Sequence, residues 1–425
     1  MSKIERLRGF KDYYPEDMQK REEIFSIMRK TAQNFGFLPI DYPSLEMLEI
    51  YRIKSGDELV GQTYNFRDKS NREITLIPEA TPSTMRMLVS RKGLVKPVKW
   101  YNIPKLWRYE EPQSGRNREH YQFNADYFGE TGMEIDAELI ALACEILNRL
   151  GLKGMYVVRV NHRKLMEKIL SGLGSENIQS SISTIDHFRK ESIEVIGNKL
   201  HNDGITGDNL NRLLIFLSKS YPMKNIRDSM RELGLELSED IDFLRMISTV
   251  EFLSRNGYEN IVYDPSTVRG LSYYTGIVFE GFDFDGKFRS IFGGGRYDNL
   301  SQLFDGQEIP AVGFGMGDAV LENLLKEKNL WKVHNIDSSY FVIGIGRGGK
   351  EQAANVLYSL RRNGKTAVME NSDRNISNSL KHASAMNFTH AIMIGEKELM
   401  EGSLTVKNLI SGEQRKISNS ELNEL

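Results

Sequence analysis

The chain has 425 residues, 40% hydrophobic and 27% charged, with 56 Lys+Arg against 58 Asp+Glu and a formal net charge of -2. At ~150 residues per domain this predicts two or three globular domains, and the composition excludes disorder and collagen. A polyanionic partner would have to be met by a local basic patch.

The first helix is expected over about 15–35, where "PEDMQKREEIFSIMRKTAQNFG" opens on Pro and acids and closes on Gly36. "FLPIDYPSLE" reads as extended chain. Aromatic and β-branched runs follow ("QTYNFRD", "EITLIPE", "VKWYNIPKLWRYEE", "EHYQFNADYFGE") and resume at "NIVYDPSTVRGLSYYTGIVFEGF" and "FRSIFGGGRYDNL", predicting one antiparallel sheet split in sequence. The interruption, about 171–255, reads as a helical insertion. Beyond "LKEKNLWKVHNIDS" strands alternate with amphipathic helices, a small α/β domain with a parallel sheet over about 338–425.

The single cysteine, Cys144, falls on the apolar face of a helical pattern. It excludes a disulfide framework and suits a reducing compartment. There is no signal-like N-terminus and no run of the ~18 apolar residues that a membrane span needs, so a cytoplasmic protein is expected.

Four stretches carry chemistry. In "YQFNADYFG" strand alternation puts Gln122, Asn124 and Asp126 on one face, and Arg108 and Glu110 share a face on the preceding strand. Such a polar face meets either solvent or a ligand. The loop "SGRNREH" adds Arg116 and Arg118 on what reads as exposed chain, where arginines can follow a phosphate backbone. In "IPEATPST" an extended chain would point Glu79 and Thr81 the same way, toward an ammonium; a turn at Thr81-Pro82 is the competing reading. "TVRGLSYYTG" sets Arg269 before a Gly turn and puts Tyr273 and Tyr274 on opposite faces of a strand, one in the core and one available to a ligand. "FGGGRYDNL" has too much glycine for an ordinary strand and suits close backbone approach. In the last domain "GIGRGG", with Glu370 ending the next strand, outlines a dinucleotide fingerprint, although a strand-to-helix turn asks for glycine by itself. The histidines show no metal-ligand spacing.

In their order along the chain these segments resemble the class II aminoacyl-tRNA synthetases, and within them the histidyl-tRNA synthetase family, nearly end to end. "RGFKDYYP" resembles that family's N-terminal signature, "IDYPSLE" with Pro43 its dimer-forming motif 1, and "WRYEEPQSGRNREHYQF" its motif 2. "VRGLSYYTG" is similar to the histidine-specific segment, and "GGGRYDNL" with "PAVGFGMG" to the approach to motif 3. The resemblance implies an α+β catalytic domain with an antiparallel sheet (the class II synthetase fold) in two parts, 1–170 and 256–328. It also implies a helical insertion at 171–255 and a C-terminal α/β anticodon-binding domain at 338–425. The "GIGRGG" turn then becomes structural or tRNA-facing.

The implied activity is ATP-dependent attachment of L-histidine to tRNA(His) through a histidyl-adenylate, with Mg²⁺ on the phosphates, by a homodimer; neither a membrane nor DNA is implied. The resemblance gives Glu79, Thr81 and Gln122 the α-amino group and Asp126 the imidazole, with Tyr273 or Tyr274 on the ring's other nitrogen. Arg108 and Arg269 take the α-phosphate and the carboxylate. Glu110, Arg116 and His120 join the ATP site, and Arg116 and Arg118 meet the tRNA acceptor end. Three positions depart from the family pattern: Asp126 stands for a common Glu, His120 for an aromatic that covers adenine, and Val320 for the motif 3 arginine, whose work Arg296 or Arg289 would have to take over. The last departure motivates an alternative, the non-catalytic histidine-binding regulatory subunit of ATP phosphoribosyltransferase.

Overall fold

The computed structural model describes residues 5–237, 239–269, 273–304, 306–332 and 338–425, except for the side chains of 53–58 and 423–424. The chain forms two compact units, Met1–Lys332 and Val333–Leu425. In the first, the expected helix runs Pro15–Asn34, with Pro15 in its first turn and Glu16 and Asp17 at its positive end. Gly36, at φ +78, turns the chain out.

The strands of this unit are β1 (Leu38–Pro39), β2 (Leu45–Met47), β3 (Asn65–Arg67), β4 (Glu73–Leu76), β5 (Val98–Asn102), β6 (Lys105–Trp107), β7 (Glu119–Phe128), β8 (Tyr156–His162), β9 (Tyr221–Pro222), β10 (Ile261–Tyr263), β11 (Ile277–Asp283), β12 (Phe292–Arg296) and β13 (Ala311–Gly317). Ten of them form one sheet in the order β1-β5-β7-β13-β12-β11-β8-β10-β9, with β6 on β7, and β2-β4-β3 form a small second sheet. The expectation of a purely antiparallel sheet needs correcting: the centre is antiparallel, but β1 joins β5 and β10 joins β8 in parallel.

One face of the central strands is aromatic. Phe123, Phe279, Phe292 and Phe314 pack there against the helix Met133–Leu147, which is buried along most of its length because it lies between the sheet and other helices. Cys144 sits inside this layer, as expected, and burial pushes its thiol up to about 12. Helices fill the insertion, from Ile178–Asp186 to Ile241–Arg255. Their hydrophobic cluster draws on residues from Leu165 to Val268.

The second unit orders β14 (Ser339–Gly344), β15 (Thr366–Met369), β16 (His390–Ile394), β17 (Ser403–Asn408) and β18 (Gln414–Ser418) as β15-β14-β16-β17-β18. The first three are parallel, as expected; β17 and β18 join antiparallel, which was not. Two of the "GIGRGG" glycines, Gly344 and Gly349, have a packing reason. A Cβ on Gly344 would lie 2.4 Å from the Gly349 carbonyl oxygen, and one on Gly349 would lie 2.6 Å from that of Ile394. Among the described residues no helix is long and apolar enough to cross a membrane.

Candidate active site

The register of four strands makes a polar trough on the face opposite the aromatic one. Glu280, Gly293, Gly315 and Asn124 lie in one row across β11, β12, β13 and β7, and Val278, Gly295, Gly313 and Asp126 in the next. Directly opposed residues of antiparallel strands point to the same side, so the glycines leave the middle of the trough empty. Other side chains lie flat in that space. A Cβ would stand 1.5 Å from Arg269 Nη1 at Gly293, 2.2 Å from Asp126 Oδ1 at Gly313 and 2.4 Å from Gln122 Nε2 at Gly315.

Three cavities that share lining residues lie along the trough. The innermost, about 80 Å³, is lined by Glu79, Thr81, Gln122, Asp126, Tyr273 and Tyr274, among others. A middle one, about 220 Å³, is lined by Glu110, Arg116, His120, Arg289 and Val320 among others, and an outer one, about 530 Å³, adds Asp186, His187 and Lys190 of the insertion. Arg108 and Arg269 line all three. The stem of Arg108 is anchored by its Nε, which donates to the Pro78 carbonyl at 2.9 Å.

Every expected site residue except Arg118 therefore reaches these cavities, though the local structure that brings several of them differs from one of the expected readings: for Glu79 and Thr81 the extended chain gives way to its turn alternative. Glu79 and Thr81 are not on an extended chain: β4 stops at Leu76, and Thr81-Pro82 opens the helix Thr81–Ser90. Arg108 and Glu110 follow the end of β6 instead of lying on a strand. Tyr273 and Tyr274 precede β11 and share the inner cavity, their ring centroids 4.6 Å apart, so they do not divide between two faces. The expected turn at Gly270 lies outside the described residues.

The loop arginines are half-buried, not exposed. Arg116 turns inward and its Nη2 donates to Glu110 Oε1 at 2.7 Å. Arg118 turns away: its Nε donates to the Glu110 carbonyl at 3.0 Å, its guanidinium lies 4.2 Å from the Tyr109 ring centre, and its stem packs on Gly9. Burial, and after it the charge of Arg108, pushes the His120 imidazole down to about 3, so a neutral ring faces the middle cavity. Arg296 cannot stand in for an arginine at Val320. It is 3% exposed, with Nε on Asp136 Oδ1 at 2.7 Å and Nη1 on Asp298 Oδ1 at 3.0 Å. Asp136 also binds Arg245 of the last insertion helix at 2.9 Å, which ties the insertion to the sheet. Arg289 does line the middle and outer cavities; burial, and then the charge of Arg116, disfavours its positive form, a position that an anion would stabilise.

Two participants were missed. Tyr297 donates its hydroxyl to Asp126 Oδ1 and lines the inner cavity, and Glu280 pairs with Arg269 at 3.0 Å. The paired glycines of "FGGGRY" and "VGFGMG" were their only sequence signal, and only the register turns that signal into a floor. Size does not select the site. A hollow of about 960 Å³ beside "GIGRGG" is lined by charges that neutralise one another, Lys350 with Asp373 and Arg374 with Glu370. Burial raises the Glu370 carboxyl, but the Ser372 hydrogen bonds outweigh it and hold the group at about 2, occupied within its own loop. The dinucleotide reading is not supported.

The histidyl-tRNA synthetase family model matches residues 9–324, and an anticodon-binding domain model matches residues 340–425. This chain belongs to the histidyl-tRNA synthetase family. It is 47% identical to the histidine-tRNA ligase of Thermoplasma volcanium over 99% of this chain and 97% of that protein, and 45% identical to that of Picrophilus torridus over 98% and 97%. A crystal structure of histidyl-tRNA synthetase from a Nostoc species shares the fold with a TM-score of 0.83 at 22% identity, covering 100% of this chain and 99% of that one. A histidyl-tRNA synthetase is a ligase that aminoacylates tRNA, and the regulatory-subunit alternative is the less supported reading against relatives named as ligases along nearly the whole chain.

Proposed function

We propose that this chain joins L-histidine to tRNA(His) in two steps, with ATP as the activating substrate and the trough as the active site. The observation that carries the reading is that Arg108 and Arg269 line both the inner and the middle cavity. Two fixed cations thus stand where an amino-acid carboxylate would meet an α-phosphate.

In the inner cavity Glu79, Thr81 and Gln122 take the α-ammonium. Asp126, oriented by Tyr297, accepts from one imidazole nitrogen, and the Tyr273/Tyr274 pair serves the other. A site that hydrogen-bonds both ring nitrogens rejects analogues without them, because its buried polar groups would be left unpaired. In the middle cavity Glu110, Arg116 and neutral His120 hold ATP, and Arg289 takes the phosphate charge that Val320 cannot.

A histidine carboxylate oxygen attacks the α-phosphorus in line. The new O–P bond gives histidyl-adenylate, and the α–β bridging bond breaks to release diphosphate. The terminal ribose hydroxyl of the tRNA then attacks the acyl carbon and AMP leaves. Positioning and fixed positive charge supply the catalysis, which is why arginines stand where a hydrolase would carry a nucleophile. Among the described residues no group of three or more His, Cys, Asp or Glu could hold a metal ion. Mg²⁺ would enter as part of the ATP substrate and neutralise phosphate charge, and Glu110 is the carboxylate of the middle cavity that would help hold it.

A homodimer is supported by exposed apolar side chains near motif 1. Met47 and Phe66, 40% and 50% exposed, lie in one cross-strand row with Ile74, and Leu38 on the edge strand β1 is 65% exposed. The test of the whole reading is pyrophosphate exchange into ATP. Exchange that requires L-histidine among the amino acids is expected; a protein that binds histidine but exchanges nothing would return the regulatory reading.

A further inference from the structure

Arg269 has an uneasy seat. Its backbone is left-handed, at φ +53, and the other non-glycine residues in that region among those described, Asn71, Asn260, Asn329 and Asn387, are all asparagine, the type that tolerates it. Its Nε is buried with no hydrogen-bond partner. The guanidinium lies 5.8 Å from the Tyr274 ring centre and directly over Gly293, where a Cβ would collide with it.

The fixed contact at its head is Glu280, whose Oε1 accepts from Nη1 at 3.0 Å. Glu280 stands directly opposite Gly293 in the β11–β12 pairing, so its side chain rises on the trough face and closes the side of the slot in which the guanidinium lies. Glu280 lines the outer cavity, together with Glu79, Arg108, Glu110 and Arg116, and is not among the lining residues of the inner or the middle one.

We propose that Glu280 is the positioning residue for Arg269: it holds one edge of the guanidinium so that the other faces the junction of the inner and middle cavities. The inference rests on the aminoacylation reading above. It adds a residue that acts through the arginine. A charge-assisted hydrogen bond of this kind fixes direction as well as charge, and a residue on a strained backbone persists only where its surroundings hold it in place.

The test is a double-mutant cycle on the full chain with Glu280→Ala, Arg269→Ala and the pair, plus Glu280→Gln. It is read by histidine-dependent pyrophosphate exchange and by calorimetric binding of a sulfamoyl analogue of histidyl-adenylate. Glu280→Ala is expected to lower kcat roughly ten- to hundredfold, the size of a lost hydrogen bond to a charged group, with a smaller change in KM for histidine. In the Arg269→Ala background it should do nothing further, either to exchange or to analogue binding. Glu280→Gln, which keeps an acceptor oxygen, should recover part of the loss and shows whether the alanine variant merely misfolds. Equal losses from Glu280→Ala in both backgrounds, or an unchanged kcat beside a lowered Tm, would overturn the proposal and leave the aminoacylation reading intact. A wild-type protein without histidine-dependent exchange would sink that reading, and the role of Glu280 with it.

Discussion

Arg116 and Arg118 stand two positions apart and do opposite things. The Gln113–Arg116 turn sends one side chain into the middle cavity to pair with Glu110, and the other outward onto Tyr109 and Gly9. Replacing Arg116 with Ala should therefore cut histidine-dependent exchange by roughly tenfold or more, the effect of a lost charged hydrogen bond in a site, while Tm stays near the wild-type value. Arg118→Ala should show the reverse. The cation–π contact and the hydrogen bond to the Glu110 carbonyl together imply about 1–2 kcal/mol of stability. Thermal melts and exchange assays on the two variants check this, and matching losses in both would put the two residues in one structural role. The types and spacing of these residues were legible because motif and charge are local; their directions were not, since each depends on a neighbour distant in sequence.

At the scale of elements, the pairing register decides which surfaces are filled and which are left open. Along β7 the period of two was readable, so Gln122, Asn124 and Asp126 were assigned to one face correctly. That the same face is floored by glycines of β12 and β13 needed strands some 170 to 190 residues further along the chain. The small sheet β2-β4-β3 shows the opposite outcome. Its row Met47, Ile74, Phe66 carries apolar side chains, and among the described residues none covers Met47 or Phe66 fully. Substituting Glu at both Met47 and Phe66 is expected to convert a dimer to monomer in light scattering at micromolar concentration, with the Tm of the isolated subunit little changed, because burying two carboxylates in an apolar interface is costly. A wild-type mass equal to one chain would contradict the dimer itself.

Over the whole molecule, the two units have separate hydrophobic clusters, Tyr340, Val342, Leu357 and Ile392 among the residues of the second. A chain ending at Lys332 is expected to keep histidine-dependent exchange, since every residue proposed for activation lies before it. Charging of tRNA(His) at limiting tRNA should fall by roughly a hundredfold or more, the loss expected when one of two linked binding modules is removed. Retained charging would show that the second unit adds no binding. The order of segments, the two-part sheet, the helical insertion, the small C-terminal domain and the residue types of the site were legible along the chain, because periodicity, turn residues and motif order are properties of neighbours. The contacts of Tyr297 with Asp126, Glu280 with Arg269 and Arg296 with Asp136, and the outward turn of Arg118, came from packing alone. Which residue meets which is set by strand register and packing between segments far apart in sequence, and a local pattern can mark a buried face without naming its partner.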